Sequence, residues 1–385
     1  MKKKIKIAYI CIEDSDDLTK WSGLNYYIKK SISQQDIEVI VIDKLKIKKS
    51  ILIFFRKVIG KIFKQDYHQN RSKIILKSLA LQIQERMPND VDFIITTSSL
   101  PIVYLETNVP IFFYLDATFH SMLDFYFPIK NLSKKTLVEG EYHEQLAHNK
   151  ATGIIYASNW AANNAIEHYK VLKKKIKVVP FGANLDYAVT EKFIIDNLKN
   201  KLLEKSINLL FVGVDWERKG GEIVYQTAKS LIKLGYNVSL DIVGIKELPI
   251  NKIPDFCTNH GFINKNDEAG KNKLIKLYLK ADFLFVPSKQ ECLGIVFAEA
   301  SSLGIPSIST NVGGISNVIE NGKTGIALDI NATPKMYEEK ILSIVNNKES
   351  YNKMALNAYH KAVLESNWEN TGREIINHMI SLTKN

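Results

Sequence analysis

Short, wholly apolar runs alternate with segments in which apolar residues recur at helical spacing. In the first half the pattern predicts strands over 5–12, 38–42, 93–96, 111–114, 154–156 and 177–180. Helices are predicted from 25–33 and over 76–86, the latter closed by Met87-Pro88-Asn89-Asp90. The pattern restarts in the second half with strands over 208–213, 239–243, 282–286, 306–309 and 325–328. Helices are predicted from the first of these strands through 231, over 274–280 and 296–303, and through the rest of the chain to its end. Strands with no polar alternation have both faces covered, as in a parallel sheet flanked by helices. Two successive arrays of this kind imply two doubly wound α/β domains with a junction near 182–190. Two such domains facing each other create a cleft of the kind in which open α/β sheets bind ligands.

Bulk composition agrees with this division. The chain has 385 residues, 45% hydrophobic and 24% charged, which suits two domains of ordinary size. Cys11, Cys257 and Cys292 are far apart and form no CxxC pair, as expected of a reduced, cytoplasmic compartment. The basic N-terminus is followed by an apolar run too short for a secretory signal, and no run is long enough to span a bilayer. The net charge of +11 is unevenly placed: residues 1–185 hold 28 Lys and Arg against 18 Asp and Glu, the remainder 24 against 23. The excess therefore points to a partner of the first half. Within it, 44–64 has eight cations and no acid. Ile51, Phe55, Ile59, Ile62 and Phe63 recur there near helical spacing. The segment reads as a basic amphipathic helix suited to an anionic membrane or a lipid-linked glycan, or as a core helix with a solvated lysine face.

Two turns carry phosphate-suited chemistry. After the strand 282–286, Glu291-Cys-Leu-Gly294-Ile295-Val296 opens a helix containing Glu299. Backbone donors at a glycine-started helix N-terminus bind phosphate, and a carboxylate accepts bonds from sugar or ribose hydroxyls. Upstream, Gly213-Val-Asp-Trp-Glu-Arg218-Lys219-Gly220-Gly221 sets two cations beside two glycines, a means of neutralising a diphosphate as it departs.

Glu291–Glu299 is an E-x7-E pair, followed by Ala300-Ser-Ser-Leu-Gly304-Ile-Pro306 and Asn311-Val-Gly313-Gly314. This run resembles the signature of the retaining glycosyltransferase family 4, enzymes of the GT-B fold with two Rossmann-like domains facing a central cleft. Asp215–Gly221 resembles that family's cationic turn, Val179-Pro180-Phe-Gly182-Ala-Asn184 its domain junction, and Trp21-Ser-Gly23 its first glycine loop. The resemblance spans most of the chain, is most specific over 208–328 and is looser over 40–150.

The resemblance implies an acceptor-binding domain over 1–185, a nucleotide-sugar domain over 186–365, and a C-terminal helix over 366–385 crossing back to the first. It implies that Arg218 and Lys219 hold the donor diphosphate, Glu299 the ribose and Glu291 the transferred sugar. Gly213 and the backbone of Gly294, Ile295 and Val296 line the donor site, and Gly23 approaches the phosphates on closure. Where relatives carry a histidine after the fourth strand, this chain reads Tyr114-Leu-Asp116-Ala-Thr-Phe-His120. Asp116 is the first candidate to face the sugar and His120 the second. No nucleophile with a partnering base stands out, and retention in the family is thought to proceed by front-face attack, with the leaving phosphate taking the acceptor proton. The implied substrates are a UDP-, GDP- or ADP-linked sugar and a glycan or lipid-linked hydroxyl, with no cofactor, no metal and no nucleic acid.

Other motifs are set aside. Asp14-Ser-Asp16 lies after the first strand, not after several. His143 and His148 are too far apart for a zincin helix, and Gly322-Lys-Thr lacks the first glycine of a phosphate loop. Competing readings are a GT-B nucleotide-sugar epimerase, which would turn over donor without acceptor, and a non-catalytic nucleotide or nucleic-acid binder.

Overall fold

The computed structural model describes residues 4–47, 51–199, 201, 205–250 and 252–383, except for the side chains of residues 52, 53, 57, 59 and 61. Part of the basic stretch, Lys48, Lys49 and Ser50, and the side chain of Ile59 thus lie outside the described residues.

The chain forms two compact units, Met1–Val179 with Thr371–Asn385, and Pro180–Asn370. Each is built on one parallel six-stranded sheet. The first consists of β1 (Ile5–Ile10), β2 (Ile37–Ile42), β3 (Phe93–Thr96), β4 (Ile111–Leu115), β5 (Gly153–Tyr156) and β6 (Ile176–Val178), in the order β2-β1-β3-β4-β5-β6. Its central residues are fully buried, among them Ala8, Ile94, Phe113 and Ile154. This is why β3, β4 and β5 read as nearly unbroken apolar runs, whereas the edge strands β2 and β6 carry exposed Glu38 and Lys177. The second sheet consists of β7 (Ser206–Val212), β8 (Asn237–Val243), β9 (Cys257–Asn259), β10 (Phe283–Val286), β11 (Ser307–Thr310) and β12 (Gly325–Leu328). Its order is β12-β11-β10-β7-β8-β9. β7 pairs with β8 on one side and β10 on the other, so the connections diverge between β7 and β10. Loops at the carboxyl ends of such a pair leave a crevice.

β9, Cys-Thr-Asn, escapes sequence reasoning because three residues with one apolar side chain show no periodicity. The helix Lys134–Lys150 was equally unforeseen: Glu139, His143, Glu144 and His148 are buried along it, so polar residues occupy the face that a hydrophobic stripe would mark. The second unit begins at Pro180, ahead of the boundary at 186 expected from sequence. Phe181 stacks on Trp368 with ring centroids 6.1 Å apart, and the Trp368 indole N–H donates to Ala183 O at 3.0 Å. The helix Trp368–Ser381 leaves this unit after Asn370. Within the first unit, its Glu374 pairs with Lys177 at 2.9 Å.

Candidate functional site

At the carboxyl end of β7, Gly213 turns the chain into Val214–Gly220, and the helix Gly221–Lys233 follows. Gly220 is left-handed (φ 73°), and a Cβ there would stand 2.2 Å from the carbonyl oxygen of Pro287. Only glycine lets this turn lie against the exit of β10. The two turns are also bonded directly: Lys289 N–H donates to Arg218 O at 2.7 Å, and the Arg218 guanidinium donates to Gln290 O at 3.2 Å. A third turn joins them, since Gly314 N–H donates to Glu291 O at 3.3 Å.

The Lys219 ammonium is buried in contact with the Glu291 carboxylate, which also accepts from Ser288 Oγ at 3.3 Å. An ammonium has three donors, and this bond to Glu291 takes one. Arg218 is only partly buried and lies 3.6 Å from Asp215. The helix Ile295–Ser302 starts at Gly294 (φ 82°), with no side chain capping it and no acid in its first turn. Its leading N–H groups and dipole are therefore not neutralised by a capping side chain. A Cβ on Gly294 would meet the Phe297 ring at 2.5 Å.

The structure thus brings Gly213, Arg218, Lys219, Glu291, Gly294, Ile295 and Val296 to the ends of β7 and β10. Glu299 is in the same helix but fully buried, with one oxygen against Lys265 Nζ at 3.0 Å and the other accepting from Tyr278 at 2.9 Å. Burial, then the Glu299 charge, holds the Tyr278 phenol well above its usual range, so it remains the donor. Sequence reasoning missed Lys265 and Tyr278, which no motif marks. It also missed a glycine contact beside the site: Gly244 (φ 98°) lies so close to Gly213 that a Cβ would be 2.4 Å from Gly213 O.

In the first unit, Gly23 (φ 86°) opens the helix Leu24–Ser33 behind Trp21 and Ser22, both with positive φ. Two non-glycine residues held left-handed cost about 1–2 kcal/mol each. Such strain at a loop that starts a helix is a reason to look for function there. Asp116 follows β4 and is half-buried. His120 is gathered with two residues that sequence reasoning did not single out: its Nδ1 lies 3.0 Å from Glu141, and its ring stacks on His168.

The motifs set aside earlier have structural roles. Asp14 and Asp16 pair with Lys44 and Lys29. His143 bonds Arg71 O and Tyr104, and His148 bonds Glu144 O and Tyr156.

Two doubly wound units of this kind have the GT-B glycosyltransferase fold. Over 98% of the chain it matches sucrose-phosphate synthase from Thermosynechococcus elongatus (99% of that chain, TM-score 0.69, 16% identity). It likewise matches Anabaena HepE in complex with UDP and glucose (98% of this chain, 100% of that chain, TM-score 0.62, 14% identity). Residues 194–361, which hold every site residue named in the second unit, match the family glycosyl transferases group 1. The capsular polysaccharide biosynthesis glycosyltransferase CapM of Staphylococcus aureus is 30% identical over 53% of this chain and 55% of its own length. The chain spans about half the length of the curated relatives it matches.

Proposed function

We propose that the chain is a retaining, metal-independent glycosyltransferase that moves a sugar from a nucleoside-diphosphate donor to a glycan or lipid-linked hydroxyl in cell-surface polysaccharide or glycolipid synthesis. One observation carries this reading: a turn with two cations and an uncapped helix start are locked together at the β7–β10 divergence. Arg218 and the two remaining donors of Lys219 hold the diphosphate, and the Gly294–Val296 backbone caps it. Both groups meet growing negative charge as the sugar bond breaks, and that differential contact lowers the barrier. Glu291, oriented by Lys219, holds sugar hydroxyls, and Glu299 takes the ribose only when its buried pairing with Lys265 and Tyr278 opens. The binding of UDP and UDP-glucose by a neighbour of the same fold supports a nucleotide-sugar donor.

Calorimetry with UDP, GDP and ADP tests the reading. One of the three is expected to bind to the wild type, and Arg218→Ala is expected to weaken it by roughly 1.5–3 kcal/mol. Unchanged affinity would remove the assigned phosphate site. Turnover of donor without acceptor would favour the epimerase reading.

The acceptor side rests on the helix Ile51–Ile62 and its flank, where Ile51, Phe54, Phe55, Ile62 and Phe63 are 56–79% exposed. A large exposed apolar patch among lysines matches the interface of an anionic bilayer. The association proposed is peripheral, on the cytoplasmic face; no helix of the described residues is long and apolar enough to cross a membrane. Co-sedimentation with phosphatidylserine-containing vesicles is expected at low salt and should fall when Phe54 and Phe55 are both changed to Glu. No sedimentation at low salt would end this part of the proposal.

A further inference from the structure

His120, Glu141 and His168 come from three different helical segments of the first unit. His120 is on the short helix Phe119–Met122, where Thr118 and Ser121 form a reciprocal cap. Glu141 is on Lys134–Lys150, and His168 caps Asn159–Glu167. The frame behind them is bonded. His168 N–H donates to Asn164 O at 2.9 Å, Asn164 Oδ1 accepts from Thr118 Oγ1 at 2.5 Å, and His120 N–H donates to Tyr169 OH at 3.1 Å. On this frame the imidazoles stack, with centroids 3.4 Å apart and planes 13° apart. Glu141 bridges them, one oxygen 3.0 Å from His120 Nδ1 and the other 3.0 Å from His168 Nε2. Three candidate ligand atoms, one from each residue, all lie within 4.8 Å of one another.

We propose that His120, Glu141 and His168 form a binding site for a divalent transition-metal ion of the zinc class. Two imidazoles and one carboxylate are the donor set such an ion takes, with nitrogen and oxygen at about 2.0–2.2 Å. Ligands at that distance from a tetrahedral ion stand roughly 3.3 Å apart, whereas the candidate atoms here lie within 4.8 Å of one another, so binding requires the two imidazoles to turn out of their parallel stack and all three groups to close on the ion. Two neutral imidazoles and one carboxylate satisfy a dication. The three side chains are 32–40% exposed, which leaves a path of entry and a position for water. Bound there, the ion ties the segment after β4 to two longer helices. Metal binding at this frame does not depend on the transferase reading.

The test uses full-length, tag-free protein dialysed against chelator, then titrated with Zn²⁺ by calorimetry and with Co²⁺ by visible absorption. One equivalent is expected to bind with micromolar or tighter affinity, and Co²⁺ should give the intense band of low-symmetry coordination. His168→Ala and Glu141→Gln should each lower affinity roughly 10–100-fold or more, since loss of even a supporting residue costs that much. His360→Ala, which removes an exposed histidine paired with Glu191 at 3.1 Å, should change nothing. X-ray absorption on the zinc-loaded wild type should show nitrogen and oxygen ligands with two imidazoles, a readout that does not require the variants to fold. Absence of stoichiometric binding, binding that survives both substitutions, or sulfur ligation would each overturn the proposal.

Discussion

Lys219→Ala is expected to cost the protein about 3–5 kcal/mol of stability, because it leaves the Glu291 carboxylate buried without its cation. The two side chains are only 10% and 9% exposed, so water cannot replace the ammonium. Arg218→Ala should cost the fold under about 1 kcal/mol, since its pairing with Asp215 is partly solvated. Both substitutions should nevertheless weaken nucleoside-diphosphate binding. Chemical denaturation with and without the nucleotide separates the two effects. The double variant Lys219→Met with Glu291→Gln removes both charges and should recover most of the lost stability without recovering binding. If the double variant is as unstable as Lys219→Ala, the penalty arises from packing and not from the orphaned charge. If Lys219→Ala is as stable as the wild type, the pair is not buried in solution.

Gly220→Ala is the second large effect. A left-handed alanine costs about 1–2 kcal/mol. The added methyl would also stand 2.2 Å from Pro287 O and 2.8 Å from its ring, and overpacking of that kind costs typically 1–3 kcal/mol. The expected total is roughly 2–5 kcal/mol on those two terms. Gly235 is the natural control, being left-handed at φ 84° with nothing within 4 Å of the position a Cβ would take. Gly235→Ala should therefore lose the conformational term alone. The difference between the two, read by urea titration, measures the closeness of the β7 and β10 turns. Because the clash is with backbone, relief requires the turns to part. Nucleotide affinity should then fall in Gly220→Ala and hold in Gly235→Ala. Equal losses of stability would show that the two turns are not in contact.

The second unit was the more legible half. Its two phosphate-suited turns each announce themselves by glycine near a charge. The Arg218–Lys219 and Glu291–Gly294 segments therefore stood out before their proximity was known. What did not stand out was pairing. Glu291 and Glu299 look alike in sequence, yet one is bound by Lys219 from a turn 72 residues away and the other by Lys265 and Tyr278. Glycines mark backbone shape locally, whereas the partner of a carboxylate depends on which loops the sheet order makes neighbours.

The first unit shows the same limit more strongly. Its six strands were all expected, and its basic apolar stretch was seen as a possible membrane face or core helix. The structure leaves Ile51, Phe55, Ile62 and Phe63 exposed, which excludes the core alternative for these side chains. The helix Lys134–Lys150 buries Glu139, His143, Glu144 and His148 by hydrogen bonding, so hydrophobic periodicity could not reveal its inner face. His120 was read alone, because nothing in the chain links it to Glu141 and His168.

Apolar periodicity and turn chemistry are local properties, and they were enough to determine two parallel α/β arrays and to point to two anion-suited turns. Strand order, the burial of Lys219 with Glu291, and the meeting of two histidines on one carboxylate were decided only by the tertiary structure. Each of these depends on distances between residues far apart in the chain, and such distances are established only when the sheets assemble and exclude water from between them.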